Sequence, residues 1–323
     1  MKSVIFKILF NLRINKILHF YAKFKNYGII LCFHRVSNNN DILFPPLKIP
    51  VFEKLIKYIS ENFNVCNTSE FFNNEKQNKK LKILITFDDG YKDFVTNALP
   101  ILKEYNIPAV HNIIINAVEK NEIPWTQKIN DIINLMYNNK AYGNYKIKNY
   151  SFKISKNLGE TVSSGMKLYK SLLNEKYKNR EKFIEELQIL SGFSYSVNQM
   201  MNWNDIQTCL KNNIEIGSHS YSHDLLSTIK DFEDLKKEIK VSKKIIESNI
   251  KTKVNVIAFP NGDYNNIVID ISKKSNYKYL LSTVEKFINF KIQYSTFPRI
   301  SIYHNDIYES IFKIYNFHKY LKP

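Results

Sequence analysis

Short, largely apolar runs punctuate this chain, and polar or turn-forming residues close them. The run at 82–87, Lys-Ile-Leu-Ile-Thr-Phe, stops at Asp88-Asp89-Gly90; others lie at 27–36, 109–115, 214–216, 253–259 and 279–282. Runs of this length, rich in β-branched residues, fit strands buried on both faces of a parallel sheet. Between them apolar residues recur at helical spacing: Phe52, Leu55, Ile56 and Ile59, then Phe94, Ala98, Leu99 and Leu102, then Phe232, Leu235, Ile239 and Ile246. Further helices are expected at 202–212, 267–274 and about 306–320, with a short strand near Val65. This alternation predicts an α/β fold, a parallel sheet covered by helices.

Two stretches depart from the alternation. Residues 122–200 hold helical pieces at 129–137, 166–173 and 183–190, joined by turns rich in Asn, Lys and Tyr. They read as an insertion between strands, a lid or a ligand-contacting subdomain. Trp125 and the tyrosines there could stack on the flat face of a ligand, although aromatic residues at helical spacing more often belong to a core. Residues 1–26 carry Lys2, Lys7, Arg13, Lys16, Lys23 and Lys25 without an acidic residue, and apolar residues from Val4 to Phe20 lie between the charges. The uncharged stretches are too short to cross a bilayer, and no apolar region followed by small cleavage residues marks a secretory signal. A basic helix with an apolar face either lies on an anionic membrane surface or docks on the protein's own core. Residues 27–323 then form the main domain.

Composition changes this picture only a little. At 323 residues and 44% hydrophobic content the chain can bury one sizeable core. Its 47 Lys+Arg and 30 Asp+Glu leave a net charge of +17, which suits a membrane surface, an acidic glycan or nucleic acid. The lysine excess comes with many Asn and Ile residues, a bias that an AT-rich genome also produces. No nucleic-acid-binding motif is present, and nucleic acid is not an expected partner. Cys32, Cys66 and Cys209 lack metal-binding spacing and are odd in number, as reduced thiols of a cytoplasmic protein would be. The expected location is the cytoplasm, with peripheral contact at the inner membrane face. Extracytoplasmic action through an uncleaved N-terminal anchor is the alternative.

The chemistry gathers where the apolar runs stop. Polar residues at the C-terminal tips of buried strands sit where α/β proteins bind ligands. Asp88 and Asp89 would repel each other there unless a cation or a shared proton separates them; two solvated carboxylates in a turn are the plain alternative. Downstream, the run at 214–216 leads through Gly217 and Ser218 to His219 and His223. Histidines four residues apart share one face of a helical turn and can reach one ion. An Asp with two His holds a divalent metal and leaves positions open to water. Such a centre is hydrolytic: the neighbouring carboxylate takes the proton of the attacking water. A backbone N–H just after the turn, that of Tyr91, is placed for the oxyanion. Ligand type makes zinc the default ion, with cobalt or nickel fitting the same set.

Thr86-Phe87-Asp88-Asp89-Gly90, followed by His219-Ser220-x-x-His223, resembles the first two motifs of the polysaccharide deacetylases, the NodB-homology enzymes of carbohydrate esterase family 4. The resemblance spans roughly residues 27–302. It implies a distorted (β/α) barrel with a helical insertion between barrel strands. It also orders the carboxylates, with Asp88 as general base and Asp89 as the metal ligand beside His219 and His223. Phe33-His34-Arg35-Val36 is similar to the Tyr-His-x-Val opening of the branch that deacetylates poly-N-acetylglucosamine, which makes His34 a candidate active-site residue. Pro260 and Tyr264 lie in the stretch that corresponds to the third motif and, with Tyr91, are candidate substrate contacts. Two departures stand out. The arginine that many members carry in the third motif is absent, and Arg299 is the candidate to replace it; a structural role is its alternative. The late Leu-x-His that supplies a general acid has no clear counterpart, leaving His304 and His34 as candidates.

Two functions of different class follow. One is removal of an acetyl group, N-linked rather than O-linked, from an amino sugar of a surface polysaccharide or its lipid-linked precursor. The other is a non-catalytic glycan- or membrane-binding protein that keeps the fold. Both carboxylates and both histidines speak for the enzyme; the missing arginine and the unassigned acid speak for the second.

Overall fold

A computed structural model describes residues 2–73 and 80–318. One sheet contains β1 (Tyr27–Phe33), β2 (Asn64–Val65), β3 (Lys82–Phe87), β4 (Ala109–Ile113), β7 (Ile214–Ser218), β8 (Val256–Ala258), β9 (Tyr279–Leu281), β10 (Ile288–Asn289) and β11 (Ile300–Ser301). A separate hairpin is made by β5 (Gly143–Ile147) and β6 (Tyr150–Ile154). The main order is β10-β1-β3-β4-β7-β8-β9, parallel throughout except for β10 on β1. Residues 297–301 curl the sheet back on itself. Phe297 bridges Leu281 in parallel, and β11 pairs with Leu31 and Cys32 of β1. The result is a distorted (β/α) barrel.

The largely apolar runs have a simple cause: both faces of the strands are covered. Ile29, Leu31, Phe33, Ile83, Ile85 and Phe87 pack beneath Phe52, Leu55 and Ile56 of the helix Ile49–Asn62. Their sequence neighbours Ile30 and Leu84 point the other way, against Val110, Val256, Ala258 and Leu281 within the curl. Each such aliphatic side chain contributes roughly 1.5–3 kcal/mol by burial. The strand tips of β1, β3, β4, β7 and β8 therefore arrive at one end of a rigid scaffold.

Between β4 and β7 lie the helices Trp125–Asn138, Leu158–Leu172 and Tyr177–Ser191, which share an apolar cluster of their own with the hairpin. The hairpin corrects the sequence reading, which expects only turns there. Tyr145 and Phe152 stack across it at 5.3 Å, and Lys148 makes the turn at φ 51°. Leu43, from the loop after β1, inserts into the same cluster, so the insertion is packed onto the barrel's rim. The helix expected along the stripe Phe232, Leu235, Ile239 and Ile246 is interrupted by a π-helical turn at Lys237–Val241, and the last helix is Ile307–Ile314, with Tyr320 outside the described residues. At the N-terminus the helices Lys2–Asn11 and Ile14–Phe24 dock through Phe6 on Phe312 and Phe10 on Tyr308. Among the described residues no helix is long and apolar enough to cross a membrane.

Candidate active site

The turn after β3 directs its two carboxylates to different neighbours. Asp88 N–H continues the ladder to Phe33 O at 3.0 Å. Asp89 then takes φ +76° and Gly90 φ +87°. Gly90 adopts this region without penalty, whereas an aspartate there is uncommon and held by its surroundings. Those surroundings are hydrogen bonds from Met201 N–H to Gly90 O at 2.9 Å and from Lys92 N–H to Gln199 O at 2.8 Å.

Asp88 faces inward. Arg299 grips it with two parallel hydrogen bonds, Nη1 to Oδ1 at 2.8 Å and Nη2 to Oδ2 at 2.7 Å. Asn112 Nδ2 donates to Oδ1 at 2.8 Å, and Cys32 Sγ lies 3.5 Å from Oδ2. Arg299 is itself fixed by donating from Nε to Ser282 O at 3.0 Å and from Nη1 to Thr86 Oγ1 at 3.2 Å. Burial alone would raise the Asp88 pKa, but the Arg299 charge and then His219 hold it well below the usual carboxylate range. The guanidinium that the third motif lacks thus reaches the same carboxylate from the far end of the chain.

Asp89 faces the histidines. Its Oδ1 lies 3.4 Å from His219 Nε2 and 3.5 Å from His223 Nε2. His219 Nδ1 lies 2.8 Å from Ala258 O, an acceptor only, so Nδ1 carries a proton and Nε2 is the ring nitrogen turned to Asp89. Burial lowers the His223 pKa to about 4, which keeps that ring neutral. Asp89 Oδ1 is buried with no hydrogen-bond partner. One carboxylate oxygen without a hydrogen-bond partner and two ring nitrogens within 4.8 Å of one another make a set that a divalent cation satisfies. Cys32, His34 and Asp88 also lie within that range, but both oxygens of Asp88 are engaged by Arg299, so of these two sets among the described residues the Asp89 one fits a metal.

The histidines reach this position by a route that differs from the helical turn expected of their spacing. Residues 219–223 form a loop beyond β7, with Ser220 at φ 66° and His223 at φ 63°. A buried carboxylate organises it. Glu238, on the π-helical turn, accepts from Tyr221 N–H and Ser222 N–H, both at 2.9 Å, and from Ser222 Oγ at 2.7 Å. His223 N–H donates to Ser220 Oγ at 3.0 Å. Neither Glu238 nor Asn112 stands out in the sequence reading. Asn112 left one signal, a polar residue beside His111 in a strand whose other members are apolar; Glu238, on an amphipathic helix, left none.

All four central residues open onto a cavity of about 560 Å³. His34 lines it, exposed at the end of β1, and Tyr91 lines it beneath Arg35, whose guanidinium lies 5.0 Å from the ring. Three candidates are placed elsewhere. His304 does not line the cavity; its Nδ1 lies 3.3 Å from Glu309 Oε1, and Tyr303 takes the cavity wall instead. Pro260 is buried within its turn, and Tyr264 packs on Phe259 while its hydroxyl accepts from Thr296 Oγ1 at 3.1 Å. Phe259 and Asn261 supply the wall there. The insertion contributes as well: Met166 and Tyr169 line the cavity, and Tyr169 OH donates to Asn261 Oδ1 at 3.1 Å.

A strand-tip Asp pair, a distant Arg on the first Asp and a His pair beside the second define a hydrolase-type centre on a distorted (β/α) barrel. The family model for polysaccharide deacetylases matches residues 75–280, well over half of the chain, and the protein belongs to that family. YxkH of Bacillus subtilis, a candidate polysaccharide deacetylase, is 32% identical over 84 residues, which cover 25% of this chain and 29% of that protein. The fold is shared with the deacetylase PplD of Streptococcus pyogenes, at 18% identity, TM-score 0.59 and coverage of 89% of this chain and 97% of that one. IcaB from Ammonifex degensii is similar at 14% identity and TM-score 0.57, covering 90% and 96%. The polysaccharide deacetylase BC0361 of Bacillus cereus aligns at 16% identity and TM-score 0.59, over 90% of this chain and 69% of that one.

Proposed function

We propose that this protein is a metal-dependent deacetylase that hydrolyses the N-acetyl group of an amino sugar in a surface polysaccharide or its lipid-linked precursor. The observation that carries the reading is the separation of the two adjacent carboxylates. Asp88 is gripped by Arg299, and Asp89 is left facing His219 and His223. A divalent cation held by Asp89, His219 and His223, zinc by default, would supply Lewis acidity at the substrate carbonyl.

The chain's own residues divide the remaining work. Asp88, ionised and oriented by Arg299 and Asn112, takes the proton of the attacking water. The Tyr91 N–H follows the fixed turn and is the oxyanion donor. As the C–N bond breaks, the leaving amine needs a proton. His34 faces the cavity and is the better-placed donor, His304 being turned to Glu309. Phe44, Phe259, Met166, Tyr169 and Tyr303 give the cavity apolar and aromatic walls that suit the faces of sugar rings. The missing third-motif arginine, which favoured a non-catalytic reading, loses its weight with Arg299 on Asp88.

The test is acetate release from N-acetylglucosamine oligomers and from a lipid-linked N-acetylated saccharide, with Zn²⁺ or Co²⁺ added or chelated. Metal-dependent release that falls by about 100-fold or more in Asp88→Asn is expected. No release from any acetylated sugar by the metal-loaded protein would overturn the reading.

A further inference from the structure

The N-terminal helix pair is apolar on two sides, and the fold covers only one. In the helix Ile14–Phe24, Asn15 and Ala22 are buried against the barrel's helices, with Leu18 partly so. Ile17, Phe20, Tyr21 and Phe24 recur at helical spacing on the opposite side, where Phe20 is 70% and Phe24 75% exposed. The preceding helix repeats the arrangement, with Phe6 buried and Val4, Ile8 and the adjoining Leu12 exposed. Lys7, Arg13, Lys16, Lys23 and Lys25 are exposed among these residues, and residues 1–26 contain no carboxylate side chain. Lys16 and Lys23 flank the Phe20 stripe on one side and Lys25 on the other.

We infer that this face seats the protein on an anionic lipid bilayer, with the aromatic and aliphatic side chains entering the interface and the lysines meeting the headgroups. A wide apolar stripe bordered only by positive charge is complementary to such a surface. Ser3 Oγ donates to Asp306 Oδ2, three residues from Tyr303 in the cavity wall, so the start of the first helix is anchored near the active-site end of the barrel. The inference goes beyond the deacetylase reading and stands without it.

Co-sedimentation of the full chain with vesicles tests it, using phosphatidylcholine alone and phosphatidylcholine with phosphatidylglycerol. Binding to the anionic vesicles alone is expected. Phe20→Ser with Phe24→Ser, and separately Lys16→Gln with Lys23→Gln, should each weaken it about tenfold or more. All four positions are exposed, so unchanged unfolding midpoints and unchanged acetate release from a soluble acetylated sugar should accompany the loss. No binding to anionic vesicles, equal binding to neutral ones, or binding that survives both pairs of substitutions would overturn the inference. So would lipid-free dimerisation that the Phe20→Ser, Phe24→Ser pair abolishes, which would assign the face to a second copy of the chain.

Discussion

Asp88 and Arg299 are separated by most of the barrel in sequence and joined by two hydrogen bonds in space, and both are buried. Removing the guanidinium strands a charge in the core. Arg299→Met should cost about 3–5 kcal/mol at neutral pH, read from the urea midpoint. The pH dependence follows from the depressed Asp88 pKa. A carboxylate with a folded pKa below its unfolded value stabilises the protein fully above about pH 3.9, and that contribution fades as the pH falls through the folded value. In Arg299→Met burial raises the Asp88 pKa, so the gap between wild type and variant should be widest at alkaline pH and close steadily as the pH falls into acid; a gap that widens in acid would contradict the assignment. Glu238 acts one step further out. It touches neither carboxylate, yet it holds the two peptides between His219 and His223. Glu238→Gln should weaken Zn²⁺ binding about 10–100-fold by titration while the far-UV spectrum stays the same, and unchanged affinity would remove its positioning role.

Elements carry the constraint that aligns these residues. β4 and β7 run side by side, and Gly217 of β7 pairs with Asn112 of β4. A methyl group at Gly217 would come within 2.1 Å of Asn112 Oδ1, the side chain that holds Asp88. Gly217→Ala should cost about 1–3 kcal/mol through overpacking and lower activity as well. Because the obstacle is one side chain, Gly217→Ala and Asn112→Ala together should cost less than their sum, and additivity of the two would refute that mechanism. The elements also show what could be read in advance. Buried parallel strands print themselves as apolar runs, so β1, β3, β4 and β7 and the residues at their tips were legible. Arg299 was legible only through a missing partner elsewhere. Loops print far less: nothing in His219-Ser220-x-x-His223 distinguishes a helical turn from a loop with two left-handed residues. The hairpin β5–β6 did leave a period-two signal at Tyr145, Ile147, Phe152 and Ile154, masked by the lysines and asparagines between them. Pro260 and Tyr264 lay in the right turn, but which side chains of a turn face a cavity is set by packing, here of Tyr264 on Phe259.

At the scale of the molecule, the proposed metal centre ties the loop after β3 to the loop after β7 at the open end of the barrel. Neither loop keeps its position in the unfolded chain, so a cation bound there binds the native state alone. At a thousandfold excess over its dissociation constant such an ion stabilises by about 4 kcal/mol. Chelation should lower the unfolding temperature by several degrees, and Zn²⁺ should restore it. The two aspartates then separate by role. Asp89→Asn should abolish the response to Zn²⁺, because Asp89 Oδ1 faces both imidazoles. Asp88→Asn should keep it while losing activity, because both Asp88 oxygens belong to Arg299. Calorimetry of the two variants with and without Zn²⁺ makes the comparison. Loss of the response in both would make Asp88 a ligand too, and the division of labour between the carboxylates would have to be abandoned.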